Sequence, residues 1–227
     1  MIDAIIFDKD GTLFDFRATW GAWAERLLDE VSAGDAERRH ALARAIRFDS
    51  ATGFHPSSVA VAGTPAEIGV LLEGETGRPA RELEDLVNRL AAETVQREVT
   101  GLAKTLALLA ERHVLGVVTN DGEALAHAHL GSVGIAHFFA FVAGYDSGHG
   151  AKPDPGSLQA FSRATGTAPE RTLMVGDSRH DLEAGRAAGM GTVAVLTGLA
   201  EASELADLAD VVLPDITHLP EWIGSRV

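Results

Sequence analysis

Short apolar runs alternate with helix-spaced segments over most of this chain. Residues 4–7, 115–119, 141–143, 173–176, 193–196 and 211–213 are almost entirely aliphatic or aromatic. Runs of this length with no polar alternation predict strands buried on both faces. Between them, residues 102–112, 123–133, 155–164, 181–188 and 201–208 carry apolar positions at helical spacing. Strands and helices in alternation predict an α/β fold, a Rossmann-like parallel sheet with helices on both faces. Helix starts are signalled by Asn120 and Asp121 before one segment and by Ser178 before another.

The pattern changes between residues 16 and 99. No convincing aliphatic strand occurs there, and residues 19–31, 36–48, 65–73 and 80–97 read as helices. Thr64-Pro65-Ala66-Glu67 combines a capping threonine, a first-turn proline and a glutamate at the third position, which together mark a helix N-terminus. Residues 49–63, rich in Ser, Gly and Pro, predict a loop. The expected organisation is an α/β core from residues 1–15 and 100–227, interrupted by a helical domain over 16–99. No internal repeat or low-complexity tract is visible.

Composition narrows the function classes. The 227 residues carry a net charge of −14, which argues against a nucleic-acid backbone or an anionic membrane as partner. A small anionic substrate remains compatible, since local charge can oppose the global sign. The absence of cysteine excludes disulfides, thiolate metal sites and a cysteine nucleophile. The N-terminal residues lack the basic start and cleavage site of a signal peptide, and no apolar run reaches membrane-spanning length. The expectation is a cytoplasmic protein.

The chemistry lies where apolar runs end. The first ends in Asp8-Lys9-Asp10-Gly11-Thr12. Carboxylates crowded at the end of a buried strand repel each other and resist ionisation, so something must offset them. By strand alternation Asp8 and Asp10 are expected on one side, with Lys9 pointing elsewhere. A divalent cation would relieve the repulsion, although turn capping with a positive φ at Gly11 would also account for the residues. The second run ends in Thr119-Asn120, suited to a phosphate at a helix N-terminus or to simple capping. Lys152 lies in Gly150-Ala-Lys-Pro-Asp-Pro155, a loop stiffened by two prolines that would hold its charge in place. A further run ends in Gly176-Asp177-Ser-Arg-His-Asp181, with the second aspartate in the first turn of a helix.

In this order, and each at a strand end, these motifs resemble the four motifs of the haloacid dehalogenase (HAD) superfamily of phosphohydrolases. Asp8-Lys-Asp10-Gly-Thr-Leu resembles the first, Thr119-Asn120 the second, Lys152 the third and Gly176-Asp177-Ser-Arg-His-Asp181 the fourth. The helical insertion falls where many members carry a cap. Asp15 after Thr-Leu-Phe, and Lys152-Pro-Asp-Pro, are similar to the phosphoglycolate phosphatase-like branch.

The resemblance implies a Mg²⁺-dependent phosphatase, monomer or homodimer, acting on a small phosphorylated metabolite through an aspartyl-phosphate. Asp8 would be the nucleophile and Asp10 the general acid and base. Mg²⁺ would bind Asp8, the backbone carbonyl of Asp10, and Asp177. Gly11, Thr119, Asn120 and Lys152 would hold the phosphoryl group together with Asp8, and Asp181 would orient Lys152 or a metal-bound water. The second aspartate separates the chain from dehalogenating members, which lack it. Arg17, Arg47 and His55 are candidates for a second anionic group of the substrate, or simply surface charges. Arg179 and His180 are candidates for the rim of the site. Trp20 and Trp23 read as packing residues. Two other readings share the motifs: a phosphomutase acting on a sugar phosphate, and a non-catalytic phospho-ligand-binding protein.

Overall fold

The computed structural model describes residues 2–225. It separates into two compact units, one of residues up to Phe16 together with those from Gln96 onward, the other of Arg17–Val95. Strand β1 (Ala4–Phe7) opens the first unit. The second unit contributes α1 (Phe16–Ser32, beginning one residue earlier), α2 (Ala36–Ala45), β2 (Phe48–Asp49), β3 (Gly53–Phe54), α3 (Val59–Ala62), α4 (Pro65–Thr76) and α5 (Ala80–Ala92). The first unit then resumes with α6 (Leu102–Ala110), β4 (Val114–Val118), α7 (Glu123–Ser132), β5 (Phe139–Ala143), α8 (Gly156–Thr165) and β6 (Thr172–Gly176). It ends with α9 (Arg179–Ala187), β7 (Gly191–Val195), α10 (Ala202–Leu205), β8 (Val211–Leu213) and α11 (Leu219–Gly224).

The six longer strands form one parallel sheet in the order β5-β4-β1-β6-β7-β8. Strand β1 is central: Phe7 is level with Val117 of β4 on one side and Val175 of β6 on the other. Chain order reverses at β1, so the crevice beyond its carboxyl end lies at a topological switch point, where α/β sheets bind ligands. Alternate residues face opposite layers. Ile5, Phe7, Val117 and Val175 pack with Leu106 of α6 and Leu219 of α11, whereas Ala4, Ile6, Val118 and Met174 pack with Phe161 of α8 and Ala184 of α9. Both faces are thus covered, which accounts for the unbroken apolar strands.

In the helical unit the capping box at Thr64 forms as the sequence predicts. The Thr64 hydroxyl accepts from the Glu67 N–H, and Glu67 accepts from the Thr64 N–H at 2.7 Å. The unit is not wholly helical. Phe48–Asp49 and Gly53–Phe54 pair as a two-rung antiparallel hairpin inside the predicted helix end and loop. The hairpin buries Phe48 and Phe54, whose ring centroids are 4.8 Å apart, and Phe54 stacks in turn on Trp23. Trp20 and Trp23 meet edge to face at 5.5 Å, which makes both of them packing residues.

The predicted helix over 201–208 is also shorter than expected, ending at Leu205. The Leu208 carbonyl is instead taken by Arg186 Nε at 3.0 Å and the Thr192 hydroxyl at 2.6 Å. Helix α11 is not signalled by the apolar pattern. Among the described residues no helix is long and apolar enough to cross a membrane.

Candidate active site

All four motifs meet at the carboxyl ends of β1, β4, β5 and β6, within the first unit. Asp8 comes directly after β1, and its N–H donates to the Val175 carbonyl of β6 at 2.9 Å. Asp177 comes directly after β6, and Asp181 lies in the first turn of α9. One carboxylate oxygen of each of Asp8, Asp177 and Asp181 can be chosen so that all three lie within 4.8 Å of one another. All three residues are buried.

Lys152 reaches into this cluster. Its Nζ donates to Asp8 Oδ1 at 2.5 Å, to Asp181 Oδ1 at 2.6 Å and to the Val118 carbonyl at 2.9 Å. Asp181 uses its two oxygens for different tasks. Oδ1 takes Lys152, while Oδ2 accepts from the Ser178 N–H at 3.0 Å and the Ser178 hydroxyl at 2.7 Å, closing a capping box at the head of α9. Asp181 therefore caps α9 with one oxygen and meets Lys152 with the other.

The second motif holds the third. The Asn120 side-chain amide donates to the Lys152 carbonyl and its oxygen accepts from the Lys152 N–H, both at 2.9 Å. Asn120 thereby pins the backbone that carries the lysine. The Thr119 hydroxyl accepts from the Asp121 N–H at 3.1 Å in the turn leading to α7.

Asp10 departs from its expected orientation. Its Oδ2 accepts from Lys9 Nζ at 2.5 Å, so its carboxylate turns towards the neighbouring lysine and is not one of the clustered three. Strand β1 ends at Phe7, and the chain then turns, with Leu13 N–H bonding to the Lys9 carbonyl at 2.9 Å and Gly11 at φ +80°. Period-two alternation holds only while the backbone stays extended, and here it has stopped. Asp10 therefore has the Lys9 ammonium beside it as well as the negative charge of Asp8.

Strand alternation says of Lys9 only that it points away from Asp8. The residue is fully buried, on the Phe7 side, with Nζ 5.9 Å from the centre of the Phe14 ring. It also meets Asp121 Oδ2 at 2.9 Å and His129 Nδ1 at 3.2 Å. Asp121 and His129 are not among the site residues expected from sequence. A lysine between two aspartates at a strand end was the available signal for this group.

The electrostatics follow from burial. Removal from water pushes Asp8 up to about 7 against the attraction of Lys152, with Asp181 and Asp10 adding to the rise. Burial, then Asp8 and Asp181, raises Asp177 well above the usual carboxylate range. Burial alone would lower both lysines, but Asp181 and Asp8 outweigh it at Lys152, and Asp10 and Asp121 outweigh it at Lys9. Both remain ammonium ions. Carboxylates this close, and this reluctant to ionise, form an oxygen donor set suited to a hard divalent cation.

Arg17 is exposed in the first turn of α1. Arg47, at φ +51°, hydrogen-bonds the Ser57 hydroxyl, which also lies 2.9 Å from His55 Nδ1, so Arg47 and His55 share one exposed cluster in the helical unit. Arg179 makes a two-pronged pair with Asp207 at 2.7 and 3.0 Å, which ties α9 to the segment after α10. His180 is half-buried.

The sequence pattern of the haloacid dehalogenase-like hydrolases matches residues 5–195. The pyrophosphatase PpaX of Oceanobacillus iheyensis is 34% identical over 123 residues, covering 53% of this chain and 58% of that protein. The phosphoglycolate phosphatase of Escherichia coli K12 is 36% identical over 126 residues, covering 54% of this chain and 50% of that protein. The match thus spans about half the length of these curated relatives. Among solved structures, a predicted phosphoglycolate phosphatase from Haemophilus somnus superimposes with a TM-score of 0.76 at 20% identity, covering 98% of each chain. β-Phosphoglucomutase from Clostridium difficile does so with a TM-score of 0.67 at 18% identity, covering 99% of this chain and 96% of that one. At such identities these structures speak for the fold alone. With the family pattern running from β1 through β7 and all four motif positions gathered at one edge of the sheet, the chain belongs to the haloacid dehalogenase-like hydrolase family.

Proposed function

We propose that this protein hydrolyses a small phosphate monoester through an aspartyl-phosphate on Asp8, in the manner of a phosphoglycolate phosphatase. The observation that carries the reading is the bridge of Lys152 between Asp8 and Asp181 inside the buried carboxylate cluster. That arrangement sets a nucleophilic oxygen beside a fixed positive charge, which a phosphoryl group requires. The phosphoglycolate phosphatase among the named relatives, at 36% identity, supports a phosphate monoester as the substrate class.

In this reading an Asp8 oxygen attacks phosphorus and the bond from phosphorus to the ester oxygen breaks. The protonated carboxyl of Asp10 gives its proton to the departing oxygen. In the second half, water attacks the phosphorus of the aspartyl-phosphate and passes a proton to Asp10. The bond to Asp8 breaks, and inorganic phosphate leaves. Lys152, oriented by Asp181 and by the Asn120 clamp, offsets the charge shared by Asp8 and the phosphoryl oxygens. The turn from Thr119 to Asp121 offers a hydroxyl and N–H groups to those oxygens, and Gly11 lets the backbone come close on the other side.

Asp8, the Asp10 carbonyl and Asp177 would hold Mg²⁺, with Asp181 near enough to support it. The bound ion would supply positive charge that lets Asp8 and Asp177 ionise together. The helical unit would serve as the cap that selects the leaving group.

A panel of small phosphate monoesters, 2-phosphoglycolate among them, assayed for phosphate release with and without Mg²⁺, tests the reading. Turnover that needs Mg²⁺ and disappears in Asp8→Asn is expected. Unchanged release by Asp8→Asn would reject the aspartyl-phosphate.

A further inference from the structure

Behind the carboxylate cluster the structure holds a second buried polar group, for which phosphoryl transfer itself has no use. Its centre is Lys9. The ammonium meets Asp10 Oδ2 at 2.5 Å, Asp121 Oδ2 at 2.9 Å and His129 Nδ1 at 3.2 Å. A lysine ammonium only donates, so His129 Nδ1 is an acceptor here. The other ring nitrogen, Nε2, lies 3.2 Å from the side-chain amide of the buried Gln96. These partners come from separate places in the chain: the loop after β1, the turn before α7, the buried face of α7 and the segment ahead of α6.

Stability alone is a poor account of this group. Lys9 is fully buried on the face occupied by Phe7 and Phe14, where an apolar side chain would pack without losing hydration. Buried ion pairs repay their desolvation cost only partly, and well-packed apolar replacements of whole clusters are often as stable or more so. What the group does provide is placement. One Asp10 oxygen is fixed on Lys9, and Lys9 is held in turn by α7 and its entry turn. Asp121 comes directly after Thr119 and Asn120, so the same ammonium joins the loop that carries Asp10 to the turn proposed to hold the phosphoryl oxygens.

We propose that Lys9, anchored by Asp121 and His129, is a positioning residue that fixes the Asp10 carboxyl for proton transfer and registers it against the turn at 119–121. The proposal rests on the reading of Asp10 as general acid and base. In this proposal Lys9 acts through Asp10 and not on the substrate.

The test uses two aryl esters of similar shape. Phenyl phosphate releases a basic phenolate that benefits from a proton, whereas 4-nitrophenyl phosphate releases an oxygen that departs without one. The parameter kcat/KM reports the step that expels the leaving group, while kcat also includes hydrolysis of the aspartyl-phosphate common to both esters. For Lys9→Met we expect kcat/KM to fall on the order of 10- to 100-fold with phenyl phosphate and to stay within about threefold with 4-nitrophenyl phosphate. The kcat values should fall with both esters. A purely structural role would lower kcat/KM equally for the two, and that result overturns the proposal.

Asp10→Asn is measured alongside. If it too fails to discriminate between the esters, the acid-base reading of Asp10 falls and takes this proposal with it. If it discriminates and Lys9→Met does not, only the proposal falls. Should Lys9→Met not fold, His129→Leu keeps both carboxylates and the ammonium while removing one anchor. The same discrimination is then expected at about 3- to 10-fold, and equal losses on both esters again overturn the proposal.

Discussion

Gly198 stands so close to Asp177 that a Cβ on it would lie 1.7 Å from the carboxylate Oδ2 and 2.7 Å from the Asp177 Cβ. Gly198 belongs to the loop after β7, and the neighbouring Thr197 hydroxyl donates to the Gly11 carbonyl at 2.5 Å. Gly11 crowds the same carboxylate, its Cβ position being 2.4 Å from Oδ2. Two glycines therefore form the walls that fix Asp177, and neither could accept a methyl group without moving it.

Gly198→Ala should accordingly displace Asp177 while leaving the fold intact, because no positive φ is required at position 198. We expect the Mg²⁺ concentration for half-maximal activity to rise on the order of 10- to 100-fold, the usual effect of losing a residue that orients a metal ligand. A Mg²⁺ titration of activity, with a melting curve as control, measures it. An unchanged Mg²⁺ requirement would mean that Asp177 does not hold the ion.

Lys152→Met removes the ammonium that reaches into the three-carboxylate cluster. Activity should drop by about 10²–10³-fold, the range seen when one group that stabilises transition-state charge is lost. Breaking a buried pair from one side also costs about 3–5 kcal/mol. The melting temperature should therefore fall, more at pH 8 than at pH 5, because acid protonates the stranded Asp8. Equal losses at both pH values would show that Asp8 does not depend on the lysine for its charge.

Asn120→Ala cuts both hydrogen bonds to the Lys152 backbone and leaves its ammonium intact. Two buried hydrogen bonds contribute about 1–3 kcal/mol together. If the clamp serves to place Lys152, kcat should fall roughly tenfold or more, with a smaller change in KM. Stability lost without any change in kcat would make the clamp a fold element only. Steady-state kinetics and a denaturant titration separate the outcomes.

How far the sequence discloses this site depends on the distance over which each feature is determined. The sheet was legible because its strands are buried on both faces and so lack polar positions. The first and fourth motifs were legible because each lies within a few residues and ends a strand. The orientation of Asp10 was not, since alternation applies only until Phe7 and the turn at Gly11 sets the direction of the side chains beyond it. His129 lies 120 residues from Lys9, and nothing near it in sequence shows that its side of α7 meets the ammonium. The hairpin of Phe48–Asp49 with Gly53–Phe54 has two rungs, too few to show periodicity, and its aromatic residues find partners only in the folded unit.

The carboxylate cluster should also make stability depend on pH in a direction opposite to that of an ordinary acidic protein. Without metal, Asp8 is raised from 3.8 to about 7, and Asp177 is raised as well. For an acid raised in the folded state, the folded form binds more protons than the unfolded chain between the two values. Stability is then fully present below the unfolded value and is lost as pH rises through the folded one. At about 1.4 kcal/mol per unit, Asp8 accounts for roughly 4 kcal/mol at most, which is on the order of 10 °C in melting temperature. Asp121, lowered because Lys9 outweighs its burial, acts in the opposite sense below the ordinary aspartate range, and His113, lowered by burial, opposes the trend within the window without the large shift of Asp8. Metal binding requires the ionised carboxylates, so its stabilisation should grow over the same interval. Melting curves in a chelator should therefore show a falling Tm from pH 5 to pH 8, and millimolar Mg²⁺ should restore more at pH 8 than at pH 5. A chelated protein that gains stability across that range would mean that Asp8 and Asp177 ionise without difficulty, and that the cluster has no need of a cation.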